Sequence, residues 1–191
     1  GLDPQLFQDE ISRFGFKSID DPVNTAGKRR RLKLLMLAHK DRILNLAAEE
    51  RKNVLRYFRQ EKLDLPGRVA LVDVGWNCTT QSSCRTLLEK EFARPLEKGY
   101  YLATFPGALR FVRPEEASGF FSSYGVPADI HEIMDHGADI FEMVHNAQHG
   151  SALNYEEADG NVLPVLDTNV SAEEKDIIAD LHQGILDYIE L

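Results

Sequence analysis

Cysteine is scarce in this 191-residue chain, which holds two, Cys78 and Cys84. They stand six positions apart with no second pair elsewhere. Neither a disulfide framework nor a zinc site is indicated, and a reducing compartment is the simplest reading. Positive charge is also short. The 22 Lys and Arg are set against 31 Asp and Glu, giving a net charge of −9. A duplex-binding protein needs a basic face for the phosphates, so nucleic acid is not an expected partner. No apolar run approaches the roughly 20 residues that span a bilayer. No basic stretch followed by an apolar core marks a secretory signal. The chain opens on Gly1 rather than Met, which reads as an excised portion of a longer protein. These absences predict a cytoplasmic protein without a membrane span.

What is present is ordinary for a globular protein. Hydrophobic residues make up 43% and charged residues 28%, enough apolar material for one packed domain with a helical appendage. The division expected is a helical N-terminal extension or cap-like segment over residues 1–64 and an α/β domain over 65–191. Gln5 to Phe14 carries Leu6, Phe7, Ile11 and Phe14 at helical spacing and stops at Gly15. Lys28–Leu46 and Ala47–Leu63 read as two further helices. In the second, Ala47, Val54, Leu55 and Phe58 share one face, and Glu49, Arg51, Lys52 and Arg59 the other. Leu65-Pro66-Gly67 ends the helical part.

The stretch Arg68–Gln81, RVALVDVGWNCTTQ, carries most information. An apolar, β-branched run ends in Asp73 and Gly75 and passes through small polar residues into a helical pattern. That is a buried strand, a tight turn and a helix start, the arrangement with which open α/β sheets hold ligands. The helix, Ser82–Phe92, places Cys84, Leu87, Leu88 and Phe92 inward, and Gly99–Thr104 is a second strand. Together they form a β-α-β unit, which is almost always parallel. Residues 108–127 fit strand or loop. A helix is expected over Asp129–Asn146, with Ile130, Ile133, Met134, Ile140, Phe141 and Val144 mostly inward and Gly137 as its weak point. Gln148–Thr168 is loop-rich with two short extended pieces. The last helix starts at the capping box Ser171-x-x-Glu174 and buries Ile177, Ile178, Leu181, Ile185 and Ile189. The fold class predicted is therefore α/β, a Rossmann-like three-layer domain with a mostly parallel sheet and a helical N-terminal extension. Its central sheet takes strands near 68–74 and 99–104, and further strands from 110–124 and 150–167.

Candidate sites follow from the same residues, each with a plainer reading beside it. At the Asp73 turn, free N–H groups of the following helix attract an anion. Thr79, Thr80 and Gln81 add side-chain donors, and Trp76 offers a stacking face. Alternatively, Asp73 satisfies turn amides, Gly75 eases the backbone and Trp76 packs. The segment is neither GxGxxG nor a phosphate loop. Gly27–Arg31, GKRRR, lacks the remaining phosphate-loop residues and reads as a solvated basic face or a dock for an acidic group. Glu142, His145 and His149 have spacing that metal sites use, but HExxH is absent and the default is surface or capping histidines. Cys78 is better placed than Cys84 to be a nucleophile at a helix start, yet has no nearby His to activate it.

Three segments, AAEERKNVLRYFRQEKL, VALVDVGWNCTTQSSCRTLL and GYYLATFPG, carry a family resemblance. They resemble the C-terminal portion of haloacid-dehalogenase-superfamily proteins of bacterial surface-polysaccharide loci, often joined to glycosyltransferase domains. The matching pattern is Arg51, Asp73, Gly75, Trp76, Thr79 or Thr80, and Gln81. FEMVHNAQHGSALNY, VLPV and LHQGILDYI resemble that family's tail, with Glu142 in the position of its acidic residue. The likeness covers most of residues 45–190. Two departures stand out. The superfamily's phosphatases end a strand in Asp-x-Asp-x-(Thr/Val), whereas Asp73 is followed two residues later by Gly75. Asn77 and Cys78 also replace smaller residues.

The resemblance implies an accessory, non-catalytic α/β portion of a polysaccharide-biosynthesis protein. It would bind a phosphorylated sugar or nucleotide-sugar through Asp73, Gly75, Trp76, Thr79, Thr80, Gln81, Arg51 and Glu142, beside other domains of a longer parent chain. No cofactor or metal is expected on that reading. The alternatives are a phosphatase-like or glycosyl-transfer half-site with Asp73 catalytic, Mg²⁺ coming into question only for the phosphatase, and a pure interdomain interaction module.

Overall fold

The computed structural model describes residues 8–190. It is a mixed α/β fold of the Rossmann-like kind, a parallel three-stranded sheet flanked by helices, with an N-terminal helical part. Two compact units divide it. One takes the described residues up to Arg56 together with Leu153–Val165; the other takes Tyr57–Ala152 and Leu166 onward. No helix among the described residues is long and apolar enough to cross a membrane.

The first unit begins with α1, Gln8–Arg13, so the expected Leu6 and Phe7 lie outside the described residues. Ile11 and Phe16 are buried together, with Phe14 and Leu35 packed on them. Next come α2, Ala26–Ala38, and α3, Lys40–Gln60. The break falls at His39 and not near residue 46 as the sequence pattern predicts, because the Leu- and Ala-rich run beyond Lys40 is one uninterrupted helix-forming stretch. Leu55 is buried as expected, as is Phe58 in the last turn of α3, which belongs to the second unit, whereas Ala47 is exposed.

The two extended pieces from the 148–168 region are β4, Ala152–Ala158, and β5, Asn161–Leu166, and they form a separate two-stranded sheet. The expectation that they join the central sheet is corrected here. Asp159 and Gly160, between the strands, both have positive φ, 51° and 79°. That is the signature of a two-residue hairpin turn, and a connection so short forces the strands to run antiparallel. Asn53 Nδ2 donates to Tyr155 O at 2.8 Å and Arg56 to Glu157 at 2.5 Å, tying the hairpin to α3 within this unit.

The second unit holds the parallel sheet in the order β1 (Val69–Asp73), β2 (Leu96–Ala103) and β3 (Ala117–Ser122). β1 and β2 are joined by α4, Thr79–Phe92, the predicted β-α-β unit with its helix starting three residues early. From β2 the chain runs through 3-10 turns at Pro106–Arg110 and Pro114–Glu116 into β3, which settles the ambiguous 108–127 stretch. Gly137 divides the expected 129–146 helix into α5, Ala128–His136, and α6, Ala138–His145. Its N–H still bonds Ile133 O while its own carbonyl starts α6, so it serves as C-cap and N-cap at once. Met134 is buried, but Ile133 and Ile140 are exposed. The last helix, α7, Ala172–Ile189, has the predicted capping box. Of its apolar residues only Ile178 is buried; Ile177, Ile185 and Ile189 stay exposed, since α6 is the element that packs on it.

The core of this unit lies between the sheet and the start of α4. Cys78, Tyr101, Ala108, Val112 and Ala117 are buried there, with Leu71 and Tyr124 against them. Within it Gln81 is 0% exposed. Its Nε2 donates to Glu116 O at 2.8 Å, and its Oε1 accepts from the Tyr101 hydroxyl at 2.8 Å. Gly99 makes room for this amide, since a Cβ there would collide with it. The other sheet face is open. Val72 and Tyr100, neighbours in register, are 85% and 49% exposed, and Phe120 is 81% exposed.

Replacing a buried, doubly bonded amide by an apolar side chain leaves two buried polar groups unpartnered, about 1–3 kcal/mol each. Gln81→Leu is therefore expected to lower unfolding free energy by about 2–4 kcal/mol in urea denaturation. A loss below about 0.5 kcal/mol, the range of ordinary surface changes, would show that this amide does not hold the core.

Candidate functional site

At the C-terminal end of β1 the backbone turns sharply. Asp73 Oδ1 accepts from Gly75 N at 3.2 Å, the local turn bond that an aspartate two residues upstream can make. Three residues later Cys78 takes a left-handed conformation, φ 58° and ψ 23°, as the N-cap of α4. A non-glycine residue there is strained and persists only where its surroundings hold it. Here the surroundings are the core, in which Cys78 is 2% exposed. A buried cysteine cannot act as a side-chain cap, and the first turn of α4 contains no acidic residue. Ser82 is the first residue to bond back, donating to Cys78 O at 3.1 Å. The N–H groups ahead of it have no partner within the helix and carry the positive end of its dipole.

These residues open onto a cleft of about 410 Å³. One wall is Asp73 through Thr80; the other is Glu142 and Asn146, on and just beyond α6. Trp76 joins the walls. Its indole Nε1 donates to Glu142 Oε1 at 2.6 Å. One face of its ring lies on Phe105, with centroids 5.1 Å apart and planes 22° apart. Phe105 in turn donates its N–H to Trp76 O at 2.8 Å and meets His131 edge-on. Trp76 is thus fixed in position by its backbone, its ring and its one polar atom.

Of the sequence-derived candidates, Asp73, Gly75, Trp76, Thr79, Thr80 and Glu142 come together around this cleft. Gln81 does not line it; its amide is consumed inside the core. Arg51 stands on α3 in the first unit, with an interaction of its own. Asn77 and Asn146 line the cleft and were not singled out by the sequence pattern. Asn146 had a signal, since it follows Glu142 by four residues, one helical turn. No Lys or Arg is among the lining residues, so two carboxylates and the α4 N-terminus set the local field.

The other constellations resolve into local structure. Lys28 of the GKRRR run bonds Asp21 and Pro22 O, and Arg31 bonds Gly15 O. His145 Nδ1 bonds Phe141 O at 2.8 Å, and His149, beyond the end of α6, bonds Gly150 O at 2.9 Å. With Glu142 on Trp76, these three side chains do not converge. Among the described residues no group of three His, Cys, Asp or Glu is placed to hold a metal. The Mg²⁺ that a dehalogenase-type phosphatase implies does not fit the cleft: Asp73 and Glu142 each bond a protein donor, and no third carboxylate joins them. Burial pushes the Cys78 thiol up despite a bond with Tyr101 that favours the thiolate, and burial pushes Cys84 up as well. Neither has the lowered pKa that an activated nucleophile needs.

A charged cluster ties the middle of α4 to the turn that leads into β3. Glu116 takes Arg85 at 2.6 Å, the Arg113 backbone N–H at 2.7 Å and the Arg113 guanidinium at 2.8 Å. Burial pushes its carboxyl up, but the Arg113 and Arg85 bonds outweigh that and bring it to about 2. Compared with protein-family models and with curated proteins, the chain matches none.

Two measurements check this description. Because the folded-state pKa of Glu116 lies below its ordinary value of 4.5, its stabilisation is complete above pH 4.5 and is lost as pH falls to about 2. The stability gap between wild type and Glu116→Gln should be about 2–3 kcal/mol at pH 7 and close progressively over that window. A gap that stays constant with pH would show that the carboxyl is not held as described. Separately, both thiols should react with a thiol-titrating reagent far more slowly in the native protein than in denaturant; fast native reaction of Cys78 would restore the nucleophile reading.

Proposed function

We propose that this protein binds a phosphorylated sugar or a nucleotide-sugar at the Asp73–Thr80 corner, as an accessory, non-catalytic domain of a bacterial surface-polysaccharide biosynthesis protein. The observation that carries the reading is the meeting of an uncapped helix N-terminus with two carboxylates across one cleft. An uncapped N-terminus is a site for phosphate, held by backbone N–H groups and the exposed Thr79 and Thr80 hydroxyls. Carboxylates without a cation nearby are acceptors for sugar hydroxyls. Asp73 and Glu142 take that role, and Trp76, locked to Phe105 and Glu142, is a fixed wall. The division of labour puts the anion at the helix and the hydroxyls at the acids, which keeps like charges apart.

The phosphatase alternative is weaker on the same residues. Its acid–base partner would stand at position 75, which is glycine, and Asp73 already accepts the Gly75 amide. The interaction-module alternative has an observation of its own. Parallel sheets are normally covered on both faces, and here Val72, Tyr100 and Phe120 are not. Another domain of a longer parent chain is the partner this face suits, and binding of sugar and domain are compatible.

A nucleotide-sugar or sugar phosphate at 100 times its Kd should add about 2.7 kcal/mol of stability, a thermal shift of about 5–10 °C for a chain of this size. Asp73→Ala should abolish the shift, while the free protein loses only the Gly75 turn bond, about 0.5–1.5 kcal/mol. No shift across a broad panel of these ligands would refute the proposal.

A further inference from the structure

Asn146 faces two spaces. It lines the cleft described above and also a second cavity of about 350 Å³, bounded by α6, α7 and the connection between α6 and the hairpin. The two cavities therefore adjoin at one residue. Their chemistries differ. The first is walled by Asp73, Glu142 and hydroxyl or amide groups. The second is lined by the apolar Met143, Val170, Ile177 and Ile178 and by His149, Ser151, Asp167 and Glu174, the two carboxylates accepting from the backbone N–H groups of Asn169 and Ser171. No Lys or Arg lines it, and the N-terminus of α7 beside it is closed by the Ser171–Glu174 capping box, so unlike the first cleft it offers a phosphate no open helix end.

We infer that the second cavity is the subsite for the nucleobase of a nucleotide-sugar, with Asn146 at the junction. This rests on the sugar-phosphate reading of the first cleft and narrows it from any phosphorylated sugar to a nucleotide-sugar. A flat, uncharged heterocycle gains from apolar walls on its faces and from a few polar groups at its edge, the balance that small-molecule sites generally show. His149 has its Nδ1 committed to Gly150 O, which leaves Nε2 as the ring atom that accepts a hydrogen bond. The Asn146 side chain can both donate and accept. The polar cleft takes the sugar and phosphate; the apolar cavity takes the base.

The test compares UDP-glucose, ADP-glucose and GDP-mannose with glucose 1-phosphate and mannose 1-phosphate by isothermal titration calorimetry on the full chain. At least one nucleotide-sugar should bind at least about tenfold more tightly than its sugar 1-phosphate, since the base buries apolar surface that the sugar phosphate lacks. Ala147→Trp, at an exposed position on the wall of the second cavity, should remove that gain and leave sugar 1-phosphate binding unchanged. Ser151→Trp, another exposed position on the same wall, should do the same. Equal affinities in the wild type, or a gain that survives both tryptophans, overturns the nucleobase subsite and leaves the sugar-phosphate reading standing. No binding of any of the five compounds overturns both.

Discussion

The Gln81 amide joins the first turn of α4, the hydroxyl of Tyr101 on β2 and the carbonyl of Glu116 at the entry to β3. One buried side chain thereby ties the helix to two neighbouring strands. Buried polar groups are costly when unpaired and directional when paired, so this contact fixes where α4 begins as well as that it packs. Everything at the cleft follows from that position. With Gln81 drawn into the core, Cys78 is held buried in a left-handed turn, and the helix starts without a side-chain cap. The Arg85–Glu116 pair makes a second link between α4 and the entry to β3. The open N-terminus is thus a consequence of packing below it.

The electrostatics of the cleft restrict what it suits. A binding site for a free, highly charged phosphate would gather Arg or Lys, and none is among the lining residues. Asp73 and Glu142 would repel an anion placed between them. The helix N-terminus alone favours negative charge, typically by about 0.3–1 kcal/mol where exposed and up to about 2 where partly buried. A ligand whose negative charge is confined to one end, with hydroxyls at the other, satisfies both halves. That asymmetry favours a sugar ester over inorganic phosphate.

How much of this could be read from the sequence varies with the kind of signal. The β1–turn–α4–β2 unit was legible because a β-branched run, an Asp-x-Gly turn and an amphipathic helix agree with one another. The Ser171 capping box was legible for the same local reason. The hairpin carried a local signal, Asp159-Gly160, whose two positive φ angles identify the turn, but the loop-rich surroundings masked it. Gly137 was legible as the weak point of the expected 129–146 helix, because glycine is a poor helix former, although the apolar periodicity runs on through it. At the site, Asp73, Gly75, Trp76, Thr79, Thr80 and Glu142 assemble, since turn chemistry and helix spacing bear on them directly. Gln81 misled because a glutamine in a helix's first turn looks solvent-facing, and only the space above Gly99 shows why it turns inward.

The chain has a single tryptophan, and it is the residue that joins the two walls of the cleft. Its indole N–H is therefore an unambiguous reporter in a proton–nitrogen NMR spectrum. Titration with the nucleotide-sugar or sugar phosphate that stabilises the protein should move the Trp76 indole resonance together with the amides of Gly75 to Thr80, with one shared saturation curve. Saturable shifts confined to other parts of the chain, with Trp76 unmoved, would contradict the assignment of this corner as the binding site.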